Sequence, residues 1–166
     1  MAWNKFLISV LFLLVLCTSC VKYSFRGALP SYLKTIYIED FSDRTDYPGL
    51  WEEFTDRLNS SFIQDNSLKV IDIKKDADLI LSGELMSLQQ RPVSFTPQEQ
   101  VQQFQMVLTV KVDCQNTHTD KPLWAETISR YGVIPGGAGR TEIDEANSVA
   151  INQIVDDIIT KTIGAW

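Results

Sequence analysis

Apolar and polar side chains alternate along much of the central chain, and this alternation predicts β-strands. The clearest case covers residues 104–114, with Thr109 and Lys111 among the polar positions between apolar ones. The same period of two, or a short apolar run, predicts strands over residues 35–41, 68–73, 79–88 and 123–131. Strict alternation in the first of these would place Phe41 on the face opposite Ile36.

Two other segments repeat apolar residues at the spacing of an α-helix. The first should begin at Pro48 and end near Asp65 and Asn66. Its apolar stripe comprises Leu50, Phe54, Leu58 and Phe62. The second should begin at Thr141, with Asp144 as its capping partner, and stop at Gly164. Its stripe comprises Ile143, Ala146, Ala150, Ile154 and Ile158.

These elements follow the order β-α-β-β-β-β-α, which predicts an α+β fold. A strand, a helix and a strand in succession favour a parallel pair, whereas the polar turn at residues 116–121 predicts an antiparallel hairpin. We expect two helices packed on one face of a mixed, mainly antiparallel sheet of four to five strands. The other face, which carries Thr109 and Lys111, should remain uncovered.

The first twenty residues have the layout of an exported bacterial lipoprotein. Lys5 precedes an apolar run over residues 6–16, and small residues then lead to Cys20. This run is too short to remain as a membrane-spanning helix. Ser19 is small enough to precede the cleavage site, so Cys20 should become the first mature residue and carry diacylglyceryl and N-acyl groups. The alternative is an ordinary cleaved signal with two incidental cysteines.

This interpretation divides the chain into a signal peptide over residues 1–19, a lipidated tether over 20–33 and one α+β domain over 34–166. No second apolar span of membrane length follows, so acyl chains should anchor the domain. Aspartate after the lipidated cysteine typically retains such proteins at the inner membrane, but Val21 stands there. We expect the periplasmic face of the outer membrane, with no cofactor beyond the acyl groups on Cys20.

Charge and cysteine content narrow the function further. The whole chain has a formal charge of -6, and loss of Lys5 leaves 14 basic against 21 acidic side chains, which is -7. Such an acidic domain disfavours nucleic-acid binding. Once Cys17 is removed and Cys20 is lipidated, Cys114 remains alone, so the domain must be held together by its core without a disulfide.

The sequence offers little catalytic chemistry. The single histidine, His118, lies in a polar turn, where a solvated side chain is a simpler interpretation than a catalytic base. Cys114 lies on the apolar side of its strand and should be a buried small hydrophobe. No cysteine or histidine pair has metal-ligand spacing. We therefore expect neither an enzyme nor a metal protein; a hydrolase would need a nucleophile and base that the sequence does not supply.

A glycine-rich loop over residues 136–139 precedes the last helix and Arg140. Free N–H groups at a helix start attract phosphate, but the residue spacing of phosphate-binding loops is missing, which favours a flexible connector. The cations that flank the strands are solvated surface charges if they stand singly. Clustered at one end of the sheet, they would contact an anionic lipid through Arg91, Lys111, Lys121, Arg130 and Arg140.

Four local phrases occur in a recognisable order along the chain. They are YSFRG at residues 23–27, IYIEDF at 36–41, ADLILSGEL at 77–85 and PLWAE at 122–126. Together they resemble the LptE family of lipopolysaccharide-assembly lipoproteins. The resemblance implies a non-enzymatic subunit that plugs an LptD-like outer-membrane β-barrel, supports its assembly and aids delivery of lipopolysaccharide to the outer leaflet. The implied partners are that barrel and, by direct contact or through the barrel, lipopolysaccharide.

A second class of function stays open beside this one. A periplasm-facing lipoprotein of similar fold would act as a scaffold or binding subunit of another envelope complex. The two differ in their partner, because only the first requires a β-barrel.

The lipoprotein interpretation predicts the outcome of one substitution at the anchor. Cys20→Ala should leave an unprocessed or soluble species, because the thioether then has no sulfur to form on. Incorporation of labelled fatty acid and membrane fractionation measure this. An acylated, cleaved form of the variant would contradict the assignment of Cys20.

Overall fold

The computed structural model describes residues 29–95, 101–119 and 121–164, without side-chain detail at positions 94, 95, 101 and 102. The predicted signal peptide, the predicted cleavage site between Ser19 and Cys20, and most of the predicted tether lie outside these residues. The described elements are β1 Thr35–Ile38, β2 Ser42–Asp43, α1 Leu50–Asp65, β3 Lys69–Val70, a 3₁₀ turn Lys74–Asp76, β4 Leu79–Phe95, β5 Val101–Asn116, β6 Lys121–Pro135 and α2 Arg140–Gly164.

The strands form one mixed sheet in the order β3-β1-β4-β5-β6. β1 runs parallel to both β3 and β4, and β2 continues in line with β1 along the same side of β4. The long ladders β4–β5 and β5–β6 are antiparallel and supply most of the pairing. Both helices contribute to one core on one face of this sheet. The predicted α+β fold is confirmed, and β4 is the middle strand of this order.

One strand more is present than predicted, because the first strand already ends at Ile38 and the short strand β2 follows after a break over residues 39–41. Strict alternation is wrong for Phe41, which turns into the core beside Phe54, at a ring separation of 5.2 Å. Gly83 on β4 makes room for it, since a Cβ atom there would lie 2.3 Å from the Phe41 ring. The Trp51 indole N–H donates to the carbonyl oxygen of Phe41 at 2.6 Å and holds the break in place.

The core is apolar and lies between the sheet and the two helices. The stripe predicted for α1 is buried at every position. The sheet contributes side chains from alternating positions, and α2 contributes Ala150, Ile151, Ile154, Val155 and Ile158. A smaller cluster of Met106, Ile134 and Ala146 seals the space beneath the first turns of α2. Burying each leucine-sized side chain stabilises the fold by about 1.5–3 kcal/mol, so a core of this composition can hold the domain without a disulfide. No helix within the described ranges is long and apolar enough to cross a membrane.

The helix ends follow local backbone chemistry. α1 ends as predicted at Asp65, where Asn66 adopts a left-handed conformation and donates its N–H to the carbonyl oxygen of Phe62 at 3.1 Å. α2 ends at Gly164, also as predicted. Near its start, α2 approaches β6 so closely that a Cβ atom on Gly132 would lie 2.2 Å from the carbonyl oxygen of Ala146.

This close approach makes Gly132 a position where a single methyl group should be costly. Gly132→Ala should destabilise the fold by about 1–3 kcal/mol, because backbone of α2 and not a flexible side chain must move. Gly164→Ala, where a Cβ would meet nothing within 4 Å, is the matched control and should change stability by less than about 0.5 kcal/mol. Urea unfolding measures both, and equal values for the two variants would refute the close approach.

Candidate functional site

Among the described residues, no element covers the sheet face turned away from the helices, as its sequence pattern predicted. Side chains on β5 that face this side are Gln105, Val107, Thr109, Lys111 and Asp113, and none of them is fully buried. A hydrogen bond between the hydroxyl oxygens of Thr109 and Ser129, at 2.9 Å, crosses from β5 to β6 on this surface. The open face is therefore built on rigid, paired strands and is available to a partner.

A groove of about 370 Å³ indents this face where β1 gives way to β2. Four of its lining residues are acidic and one, Lys111, is basic. Directly opposite Lys111 on β4 is Glu84, whose carboxylate also pairs with Arg44 at 2.5 Å. Lys111 therefore lies among carboxylates, which offset its charge and disfavour an anionic ligand at this place.

The structure does not bring the predicted lipid-contacting cations together. Arg91 lies across from Gln105 and Lys121 across from Asn116, so about 36 Å of β5 separates their rows. The Arg91 guanidinium donates to the Gln89 side chain at 2.8 Å. Contact of single cations with an anionic lipid remains a prediction, but these residues do not form one basic cluster.

The two remaining cations of that group have partners within the domain. Arg130 on β6 pairs with Asp157 of α2 at 2.6 Å. Arg140 pairs with Asp144 at 3.0 Å and stacks 4.6 Å from the ring centre of Tyr47. Burial, followed by the Asp144 hydrogen bond, raises the pKa of Tyr47. These contacts attach the loop before α1 and the edge strand β6 to α2, so both arginines have structural partners.

The glycine-rich loop acts as a connector. Gly137 has a φ of +81°, a conformation in which glycine is favoured, and the backbone turns there into α2. The N–H of Gly139 donates to the Glu142 carboxylate at 2.9 Å. The predicted cap of Thr141 and Asp144 is wrong, because the helix begins one residue earlier and Glu142 reaches back to a capping glycine. A carboxylate of the chain itself thus accepts one of the N–H groups at this helix start.

Asp78 is the most heavily hydrogen-bonded side chain near the start of the sheet. Its carboxylate accepts the backbone N–H groups of Lys34 and Thr35 at 2.8 and 2.9 Å, the Thr35 hydroxyl at 2.9 Å, and Nε2 of His118 at 2.8 Å. Partial burial raises its pKa, but hydrogen bonds from Lys34, His118 and Thr35 outweigh burial and lower it to about 2. Asp78 therefore connects β1, β4 and the turn after β5.

His118 is more constrained than its polar turn suggested. Besides the contact with Asp78, its ring meets Tyr32 edge-on at 5.3 Å. An aspartate–histidine pair can serve a nucleophile, yet in the described part of the chain no serine or cysteine hydrogen-bonds this ring. No sequence pattern indicates this pair, because residues 78 and 118 are distant in the chain and meet only through the β4–β5 register.

Cys114 is buried, as predicted, on the core face of β5. Burial raises the pKa of its thiol to about 12, with a further contribution from Asp113, so it remains protonated and unreactive near neutral pH. Over the described ranges, no group of three or more histidine, cysteine or acidic side chains could hold a metal ion.

Several solved structures of similar fold are described as bacterial lipoproteins. An uncharacterized lipoprotein B from Nitrosomonas europaea is 15% identical over 86% of this chain and 91% of its own, with a TM-score of 0.61. The rare lipoprotein B from Shewanella oneidensis is 16% identical over 78% and 93%, with a TM-score of 0.52. A minor lipoprotein from Acinetobacter baumannii is 14% identical over 80% and 93%, with a TM-score of 0.55. At such identities the likeness establishes a shared α+β fold.

The family follows from the sequence itself. No curated protein sequence matches the chain. The profile of a family described as LptE, lipopolysaccharide-assembly, matches residues 33–162, which span all the strands and most of α2. The chain belongs to the LptE family, as the resemblance in its local phrases indicated.

The hydrogen bonds of Asp78 predict a pH-dependent contribution to stability. Its folded pKa of about 2 lies below the ordinary value of 3.8, so the stabilisation is present above pH 3.8 and is lost as the pH falls towards 2. Asp78→Asn should cost on the order of 1–2 kcal/mol at pH 7, after allowance for solvent screening, and clearly less at pH 2.5.

Urea unfolding at the two pH values measures this difference. Asp76→Asn, two residues earlier in the chain and with an exposed side chain, is the matched control and should change stability little at either pH. An equal loss for Asp78→Asn at pH 7 and pH 2.5 would show that the charge of Asp78 contributes nothing.

Proposed function

We propose that the mature chain is a lipid-anchored, non-enzymatic subunit that plugs an LptD-like outer-membrane β-barrel and supports its assembly during delivery of lipopolysaccharide. The observation that carries the proposal is the match to the lipopolysaccharide-assembly family over residues 33–162. A β-barrel of this kind has a polar lumen, because its apolar side chains face the lipid. The domain has a matching property, since one face of its sheet is sealed by helices and the other is open and largely polar.

The anchor supports the same function. Acyl groups on Cys20 would hold the domain at the periplasmic leaflet of the outer membrane. Only eight residues separate Cys20 from Leu29, the first described residue, so the tether reaches about 30 Å at full extension. Confinement to this distance raises the effective concentration of the domain near a barrel in the same membrane.

The charges of the domain favour support of the barrel over strong binding of a phosphorylated lipid by the domain itself. The mature chain is acidic, and its five candidate cations are dispersed, or paired as Arg130 and Arg140 are. Covalent chemistry is not part of the proposal, because neither His118 nor Cys114 has the partners of a nucleophilic site.

Affinity purification of the lipidated protein in mild detergent tests the proposal. A large β-barrel should be recovered in near-equal amount, and the yield of barrel should fall for Cys20→Ala, which lacks the anchor. Mass spectrometry and gel shift on heating identify the barrel. Recovery of a monomer without a barrel would refute the proposed function and favour another envelope complex.

A further inference from the structure

The open face of the sheet divides into two halves of different chemistry. Cross-strand register places its side chains in rows over β4, β5 and β6. The half at the N-terminal end of β4 is here called the proximal half. Its rows are Ser82–Asp113–Ala125 and Glu84–Lys111–Thr127. The other half, called the distal half, has the rows Ser87–Thr109–Ser129, Gln89–Val107–Tyr131 and Arg91–Gln105–Val133. Three of six side chains are charged in the proximal rows, against one of nine in the distal rows.

The distal half also exposes large apolar side chains. Tyr131 is 47% exposed and Val133 is 51% exposed, and both lie on the edge strand β6. Met86, which is 38% exposed, joins them because it is the extra residue of a bulge between Leu85 and Ser87. Apolar and aromatic side chains surrounded by hydroxyl and amide groups, with few charges, are typical of the centre of a protein interface.

The distribution of charge also distinguishes the distal half from the rest of the domain. The mature chain carries a formal charge of -7, so most of its surface repels an anionic environment. The distal half has no carboxylate in its three rows, and its one charge is the guanidinium of Arg91. A partner at an anionic membrane can therefore approach this half with the least repulsion.

The size of the distal half limits the kind of partner. Three strands about 4.8 Å apart and five residues of about 3.3 Å each give a patch of roughly 200 Å². A stable interface in solution needs about 800 Å² on each partner. The patch alone is too small for a free partner, so it suits one that also contacts the domain elsewhere or encloses it.

We propose that the distal half of the open face is the surface that docks on the lumen wall of the β-barrel, and that this wall is neutral there and lined by hydroxyl, amide and aromatic side chains. The inference rests on the proposed function and specifies which surface carries it. The proximal half, with its acidic groove, faces the water that remains in the lumen.

Paired substitutions on one strand and one face test this assignment. Val133→Asp places a carboxylate in the distal half, and Thr127→Asp places the same group three rows away in the proximal half, opposite Lys111. In the lipidated protein, Val133→Asp should lower the amount of co-purified barrel by about tenfold or more, and Thr127→Asp by less than about twofold. Thermal unfolding midpoints of the purified variants confirm that both remain folded.

A second experiment replaces either Tyr131 or Thr127 with a photocrosslinking amino acid. It detects contact with the barrel directly, without requiring that binding be weakened. A covalent adduct with the barrel should form from position 131 and not from position 127. Adducts from position 127 alone, or equal loss of barrel with both aspartate variants, would overturn the distal assignment while leaving the proposed function intact. Absence of any barrel with the unmodified protein would overturn the proposed function, and this surface with it.

Discussion

The register between β4 and β5 determines which side chains of these strands are buried, and the rest of the structure depends on this register. A slip of one residue would turn Leu79, Leu81 and Leu85 from the helices towards water, because side chains alternate between the faces of a strand. Exposing these three and Leu88 would cost roughly 6–12 kcal/mol, which is comparable to the whole stability of a small domain. The bulge at Met86 belongs to this constraint. It shifts the alternation by one residue, so that Leu85 and Leu88 both face the core although they are three positions apart.

Two glycines allow other parts of the chain to pack closely against the core face of the sheet. Gly83 leaves room for the ring of Phe41, and Gly132 lets the backbone of α2 rest on β6 near Ala146. Larger residues at either place would push an element away from the sheet and open voids, whose cost increases with their volume. Because the helices bury the apolar side chains of the core face, the opposite face does not contribute to a core. Its side chains can therefore differ in chemistry along the length of the strands.

The sequence was sufficient for the fold class, because long periodic segments leave few alternatives. The helical stripe from Leu50 to Phe62 and the alternation in β5 specify which elements pack together. Three features could not be predicted, for separate physical reasons. Phe41 leaves its alternation because Gly83, which is distant in sequence, offers it space. The cap of α2 moves to Gly139 because a glutamate three positions later reaches back. The contact of Asp78 with His118 depends on cross-strand register, which single residues do not reveal.

The same limit applies to the open face and explains why counting cations along the sequence was uninformative. Arg91, Lys111 and Lys121 flank strands in the sequence, yet the antiparallel register spreads them over the length of the sheet. Register instead brings eight uncharged residues from three strands together with Arg91 in the distal half, although every one of these strands carries two or more charged side chains. A patch this small gains affinity when the search for its partner is restricted to a membrane and a short tether. In this proposal the acyl anchor at Cys20 supplies local concentration, and the distal half supplies specificity.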